Sequence, residues 1–123
     1  NAEPVFVHAN PQVRADNAKA AVVKGPLVYC MEEIDNGENL SSIMVNVNQN
    51  IEETYDNELL EGCSVLHITG KKISDKGWDE ETLYQNRKIE LEDIKLTLVP
   101  YCYWGNRKNG EMLVWMKELF QVE

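Results

Sequence analysis

Apolar and polar side chains alternate along several short segments of this chain. Ile94, Leu96 and Leu98 alternate with Lys95 and Thr97, so one face of this segment would meet a core and the other would meet water. Similar segments recur from one end of the sequence to the other. The predicted strands are Pro4–Ala9, Lys19–Lys24, Leu27–Glu33, Ile43–Val47, Ser64–Ile73, Ile94–Pro100 and Met112–Leu119.

Turn-forming residues separate these strands, and no segment keeps a 3.6-residue apolar period. The helix candidates are only one or two turns long, at Asn50 to Glu53 and at Asp79–Leu83. Many short strands divided by turns predict an all-β fold, and we expect an antiparallel, jelly-roll-like β-sandwich of about seven to nine strands.

The length of 123 residues predicts one domain over residues 1–123. Either a leader was removed from this chain or it is a piece cut from a larger protein. We favour the second interpretation, because Asn1 and Ala2 look like residues left by a cleaved tag.

The last two predicted strands suggest a tight hairpin, because Asn109-Gly110 suits a two-residue type I′ turn. Counting outward from the turn predicts three facing pairs, which are Arg107 with Met112, Trp104 with Trp115, and Tyr103 with Met116. A similar turn at Asn36-Gly37 would place Asp35 against Glu38, so we expect a longer and looser loop through residues 38–42 there.

The formal charge of −9 disfavours binding to nucleic acid or to anionic membrane surfaces, since both are negatively charged. The longest apolar stretches, such as Ala20–Val23 and Pro26–Tyr29, are too short to cross a bilayer. We therefore expect a soluble protein with neither kind of partner.

Cys30, Cys63 and Cys102 stand far apart, with no spacing typical of zinc ligands. Each lies in an apolar run, where we expect a small buried side chain. An odd number of cysteines favours a reducing, cytoplasmic compartment. No cofactor or metal is predicted within this chain.

No motif for nucleophilic or metal-assisted catalysis is present, because the sequence lacks both a GxSxG and an HExxH pattern. Aromatic residues are the better candidates, since flat rings pack against the apolar faces of sugars. They could equally fill a core or an interface, which is the interpretation we favour. The candidate sugar or interface contacts are Trp78, Tyr101, Tyr103, Trp104, Arg107 and Trp115.

Several segments resemble the C-terminal region of glycoside hydrolase family 127. They are Val7–Arg14 with Lys24–Glu32, Pro100–Arg107 with Gly110–Trp115, and the middle segment Leu59–Val65. The best-known activity of this family is that of a β-L-arabinofuranosidase, and many of its members are known only as a domain of unknown function.

The resemblance implies a parent enzyme with an α/α barrel upstream, which holds a Cys nucleophile, a Glu acid/base and a zinc ion. No cysteine of this chain lies in a segment that matches that site, so we assign no catalytic residue here. The implied function is a non-catalytic accessory domain that packs against the barrel and mediates homodimerisation. The alternatives are a module that binds carbohydrate weakly through exposed aromatic residues, and, least favoured, an enzyme in its own right.

Overall fold

The structure, a computed structural model, describes residues 2–58, 63–103 and 109–120, and these contain nine β-strands. The strands are β1 (Pro4–Val7), β2 (Lys19–Lys24), β3 (Leu27–Glu32), β4 (Ile43–Val45), β5 (Glu52–Asp56), β6 (Cys63–Ile73), β7 (Leu91–Pro100), β8 (Met112–Leu113) and β9 (Met116–Glu118). One turn of α-helix, α1 (Glu33–Asn36), follows β3. Turns of 3₁₀ helix occur at Arg14–Asp16, Leu40–Ser42 and Tyr101–Tyr103.

Hydrogen bonding runs continuously around six of these strands. In the order β2, β9, β4, β6, β7 and β3 each strand pairs with the next, and β3 pairs again with β2. β1 adds to β2, β5 to β6 and β8 to β3. Among the described strands only β4 and β9 pair in parallel, with Met44 opposite Lys117. The predicted all-β sandwich is confirmed, and its nine strands fall within the expected range.

The longest pairing, between β6 and β7, places two rows of side chains in the core. Leu66 faces Leu98 and Ile68 faces Leu96, and all four are buried. The alternation along 94–98 therefore predicted the inner and outer faces of β7 correctly. The buried cluster around them consists of Val22, Tyr29, Met31, Leu40, Ile43, Val45 and Met116.

The region around Asn50 forms a strand instead of the predicted short helix. Glu52–Asp56 is exposed along its whole length and is held by pairing with β6, where Glu52 faces His67. The second helix candidate is also wrong, because residues 79–83 form no helix. Asp79 Oδ1 accepts hydrogen bonds from the backbone N–H groups of Glu81 (2.9 Å) and Thr82 (2.7 Å), as at the start of a helix, but here the bonds close an isolated turn.

The predicted C-terminal hairpin is wrong at the position where the structure describes both partners. Tyr103 lies in a 3₁₀ turn, whereas Met116 faces Ala20 of β2. β8 and β9 bind the edges of β3 and β2, where Leu113 packs against the core and Met116 is buried in it. This apolar burial outweighs the local preference for a turn. The other two predicted pairs involve Trp104 and Arg107, which lie outside the described residues.

Residues 38–42 do not form the expected loose loop. Leu40 is only 1% exposed and belongs to the core. Glu111 Oε1 accepts hydrogen bonds from the backbone N–H groups of Asn39 (2.6 Å) and Leu40 (3.3 Å). The C-terminal part of the chain therefore ties this segment to the sandwich.

Two carboxamide side chains complete the outer edges of the β6–β7 pair. The N–H of Thr97 donates to Asn36 Oδ1 (2.8 Å), and Asn36 Nδ2 donates to the carbonyl of Thr97 (2.9 Å). The N–H of Thr69 likewise donates to Gln49 Oε1 (2.8 Å), while Gln49 Nε2 donates to the carbonyl of Thr69 (2.8 Å). β3 pairs with β7 only as far as Leu98, and Thr69 lies between the pairings of β5 and β4 with β6. Each amide thus replaces the missing backbone of a neighbouring strand.

We predict that Asn36→Leu lowers the free energy of unfolding by about 2 kcal/mol, because it leaves the partly buried backbone groups of Thr97 and the buried carbonyl of Glu32 without this partner. Gln49 is less buried, so Gln49→Leu should cost about 1 kcal/mol, since water can replace part of the lost bonding. Urea unfolding followed by tryptophan fluorescence measures both. Asn50→Leu, at an exposed neighbouring position, is the control. An Asn36→Leu variant as stable as this control would contradict the role of the amide.

Candidate functional site

The candidate aromatic residues do not form one surface. Trp78 lies in the segment 74–90 between β6 and β7, whereas Tyr101 and Tyr103 follow the opposite end of β7. The ten residues of β7 extend over about 30 Å, which separates the two groups. Trp115 is half-buried between β8 and β9. Trp104 and Arg107 lie outside the described residues.

Trp78 is held next to Arg87 by a tight turn. The backbone N–H of Trp78 donates to the carbonyl of Asp75 (3.1 Å), and Gly77 has a φ of +84°. A Cβ atom at Gly77 would sit 2.6 Å from Nη1 of Arg87, so a side chain there would displace the guanidinium. Arg87 Cζ lies 5.7 Å from the centre of the indole ring, within the range of a cation–π contact.

A groove of about 510 Å³ opens beside this pair. Its apolar wall consists of Ile73, Trp78, Leu83 and Ile89. Its charged residues are Asp75, Lys76, Arg87, Lys88, Glu90 and Lys117. Of these residues, only Trp78 is among the candidates predicted from the sequence. The signal that could have found the rest is the 17-residue segment 74–90, since a structureless segment of that length inside a domain is often functional.

The outer face of β1, β2 and β3 is the second unusual surface. Val5 faces Val23, and Val23 faces Val28, so a row of valines crosses the three strands. Val5 is 49% exposed and Val28 is 39% exposed. Because alternate residues share a face, Val7, Ala21 and Cys30 also point to this side and are apolar. Ala21 and Cys30 are already buried within the domain, so the exposed part of the face is centred on Val5 and Val28. The opposite face carries Phe6, Val22 and Tyr29 into the core, so these strands are apolar on both sides.

Residues 4–117 match the model of the glycoside hydrolase family 127 C-terminal domain. The chain belongs to this family. It is 33% identical over 118 residues to the non-reducing end beta-L-arabinofuranosidase of Bifidobacterium longum subsp. longum, covering 91% of this chain and 18% of that protein.

Solved structures are similar to this family 127 domain over almost its whole length. A GH127 beta-L-arabinofuranosidase from Geobacillus stearothermophilus T6 superposes with a TM-score of 0.91 and 34% identity, covering 97% of this chain and 19% of the other. A second GH127 beta-arabinofuranosidase gives a TM-score of 0.81 and 36% identity over 96% of this chain and 17% of its own. The chain therefore spans less than a fifth of the length of these relatives.

The three cysteines of the family 127 domain differ in burial. Cys30 is buried as expected, Cys63 is half-buried and Cys102 is exposed, so the prediction is wrong for Cys102, which lies in the 3₁₀ turn after β7. No disulfide joins the three. Within the described ranges no three His, Cys, Asp or Glu residues are placed to hold a metal ion. None of the helices described is long and apolar enough to span a membrane.

The hydroxyl of Tyr29 in the family 127 domain has a strongly raised pKa. This hydroxyl donates to the carbonyl of Ser64 (3.0 Å), and the Tyr29 side chain lies in the core. Burial, with the negative charge of Glu53 as a further cause, raises the pKa of Tyr29 to about 12. Glu53 itself pairs with Lys24, and hydrogen bonding to that ammonium lowers the pKa of the Glu53 carboxyl.

We predict that Tyr29 makes stability fall at high pH. Its folded-state pKa is raised, so its contribution is fully present below pH 10 and is lost as the pH approaches about 12. Urea unfolding between pH 8 and pH 12 should show a loss of about 2 kcal/mol that Tyr29→Phe removes. Tyr55→Phe, at an exposed tyrosine, should keep the loss. Parallel pH profiles for wild type and Tyr29→Phe would contradict this assignment.

Proposed function

We propose that this chain is a non-catalytic accessory domain of a glycoside hydrolase that acts on β-L-arabinofuranosides. It packs against the catalytic domain through the outer face of β1, β2 and β3. The catalytic residues and the zinc ion belong to the catalytic domain. The family membership and the small share of each arabinofuranosidase that the chain spans support this division of roles.

The main support for this proposal is the apolar outer face of β1, β2 and β3. An antiparallel sheet with one face in water normally carries polar residues on that face, while strands covered on both sides are apolar throughout. Here Val5, Val23 and Val28 stand side by side on the outer face, where solvent would favour polar residues. Full burial of a valine side chain stabilises by about 1.5 to 3 kcal/mol, so covering this row would contribute appreciably to domain packing.

We predict that Val5→Lys and Val28→Lys weaken the attachment of the domain in the full-length enzyme. A lysine in the interface would bury its charge or force the surfaces apart. The midpoint of thermal unfolding should fall by several degrees, and limited proteolysis should release the domain faster. Val13→Lys is the matched control, because Val13 is 48% exposed but lies outside these strands.

The same substitutions should change the stability of the separate 123-residue chain by less than about 0.5 kcal/mol, as at ordinary surface positions. Equal effects of Val13→Lys and Val5→Lys on the full-length enzyme would contradict the proposed interface. If the separate chain forms a dimer that Val28→Lys abolishes, the face is instead occupied by a second copy.

A direct assay tests the non-catalytic role. We predict that the separate chain gives no turnover of a chromogenic β-L-arabinofuranoside under conditions in which the full-length enzyme is active. Turnover by the chain alone, retained after repeated chromatography, would overturn this part of the proposal.

A second candidate function is the binding of carbohydrate. The observation that favours it is Trp78, which is 39% exposed and lines a groove. An exposed ring beside polar and charged groups is a suitable platform for one face of a sugar.

A further inference from the structure

The charge of the Trp78 groove is opposite to that of the whole chain. The chain has 12 basic and 21 acidic residues, a balance of −9. The groove is lined by four basic residues, Lys76, Arg87, Lys88 and Lys117, and by two acidic residues, Asp75 and Glu90, which is a balance of +2. A positive groove on a negative protein attracts small anions and steers them to this place.

We propose that this groove binds an acidic saccharide, an oligosaccharide that contains uronic acid residues. The inference rests on the second candidate function and names its ligand class. A uronic acid combines the two features that the groove offers to a ligand, since its ring has an apolar face and its carboxylate carries a negative charge.

Trp78 and the apolar wall provide the surface for the ring. Trp78 remains partly exposed beside the Arg87 guanidinium that lies over its ring, and Ile73, Leu83 and Ile89 continue the apolar wall. The volume of about 510 Å³ lies within the range of about 300 to 1,000 Å³ that is usual for small-molecule sites. It is large enough for a short oligosaccharide.

Arg87 is the group best placed to bind the carboxylate. A guanidinium has five N–H donors. Two of its nitrogens donate hydrogen bonds to described residues. Arg87 Nη2 donates to the carbonyl of Lys76 (3.2 Å), and Nη1 donates to Gln85 Oε1 (3.4 Å). These contacts and the stacking on Trp78 hold the group in place, and its remaining donors suit the planar fork of a carboxylate.

The other basic side chains of the groove add electrostatic attraction for the carboxylate. Lys117 Nζ donates to the carbonyl of Ser41 (2.7 Å), which places its charge at the edge of the groove. Lys76 is partly neutralised by Glu92, at 3.4 Å. Nucleic acid is a poor fit despite its charge, because a long polyanion would also meet the negative surface around the groove.

Titration calorimetry of the chain with trigalacturonic acid tests the proposal, with a neutral arabinotriose as the comparison. We expect millimolar binding of the acidic trisaccharide that weakens when salt is raised from 50 to 500 mM, as exposed charge attraction does. Arg87→Gln should weaken it about five-fold, the upper end of the range for an exposed charge pair. Arg14→Gln, which removes the same charge outside the groove, should leave the affinity unchanged.

The two ligands separate the failure of this inference from that of the underlying function. Equal binding of both trisaccharides, reduced by Trp78→Ala but unaffected by Arg87→Gln, would overturn the acidic ligand while supporting a neutral sugar site. Absence of binding by either would overturn both. Acidic binding that Arg14→Gln and Arg87→Gln weaken equally would show general charge attraction, and would also overturn the proposed site.

Discussion

The pairing of β6 with β7 is the interaction on which the rest of the structure depends. Eight residues of each strand face one another, from Leu66 opposite Leu98 to Ile73 opposite Leu91. These two strands are the longest described, and β3, β4 and β5 all attach to their outer edges. Where no strand reaches those edges, Asn36 and Gln49 supply the missing hydrogen bonds. The same pair also positions the segment 74–90, so the groove at Trp78 depends on it as well.

Much of this framework could be predicted from the sequence, because apolar and polar residues alternate along the strands. Ile94, Leu96 and Leu98 alternate with polar residues, and as expected Leu96 and Leu98 are buried in the core while Ile94 packs against it. β5 could not be found in this way, since all of Glu52–Asp56 is exposed and only its partner strand makes it extended. The C-terminal hairpin was wrong for a related reason, because the local turn preference at Asn109-Gly110 competes with distant sheet edges that the pattern does not reveal.

The candidate sites also depend on contacts between distant segments, which local sequence patterns do not reveal. Trp78 and Tyr101 looked like members of one aromatic set, but their separation follows from the direction of β7, which no local pattern encodes. The groove brings Lys117 beside Trp78 and Arg87, and this neighbourhood exists only after β9 has joined β4. The runs Ala20–Val23 and Pro26–Tyr29 were interpreted from the sequence only as too short to cross a bilayer. The strand register was needed to show that they make β2 and β3 apolar on both faces.

The position of β9 within the ring has a consequence for how this polypeptide matures. Residues 116–118 insert between β2 and β4, although β2 is synthesised about a hundred residues earlier. In a nascent chain the facing edges of β2 and β4 therefore stay unpaired until nearly all of these 123 residues have left the ribosome. The sheet can close only after β9 has been translated. A chain that ends before β9 would keep unpaired backbone groups along β2 and β4.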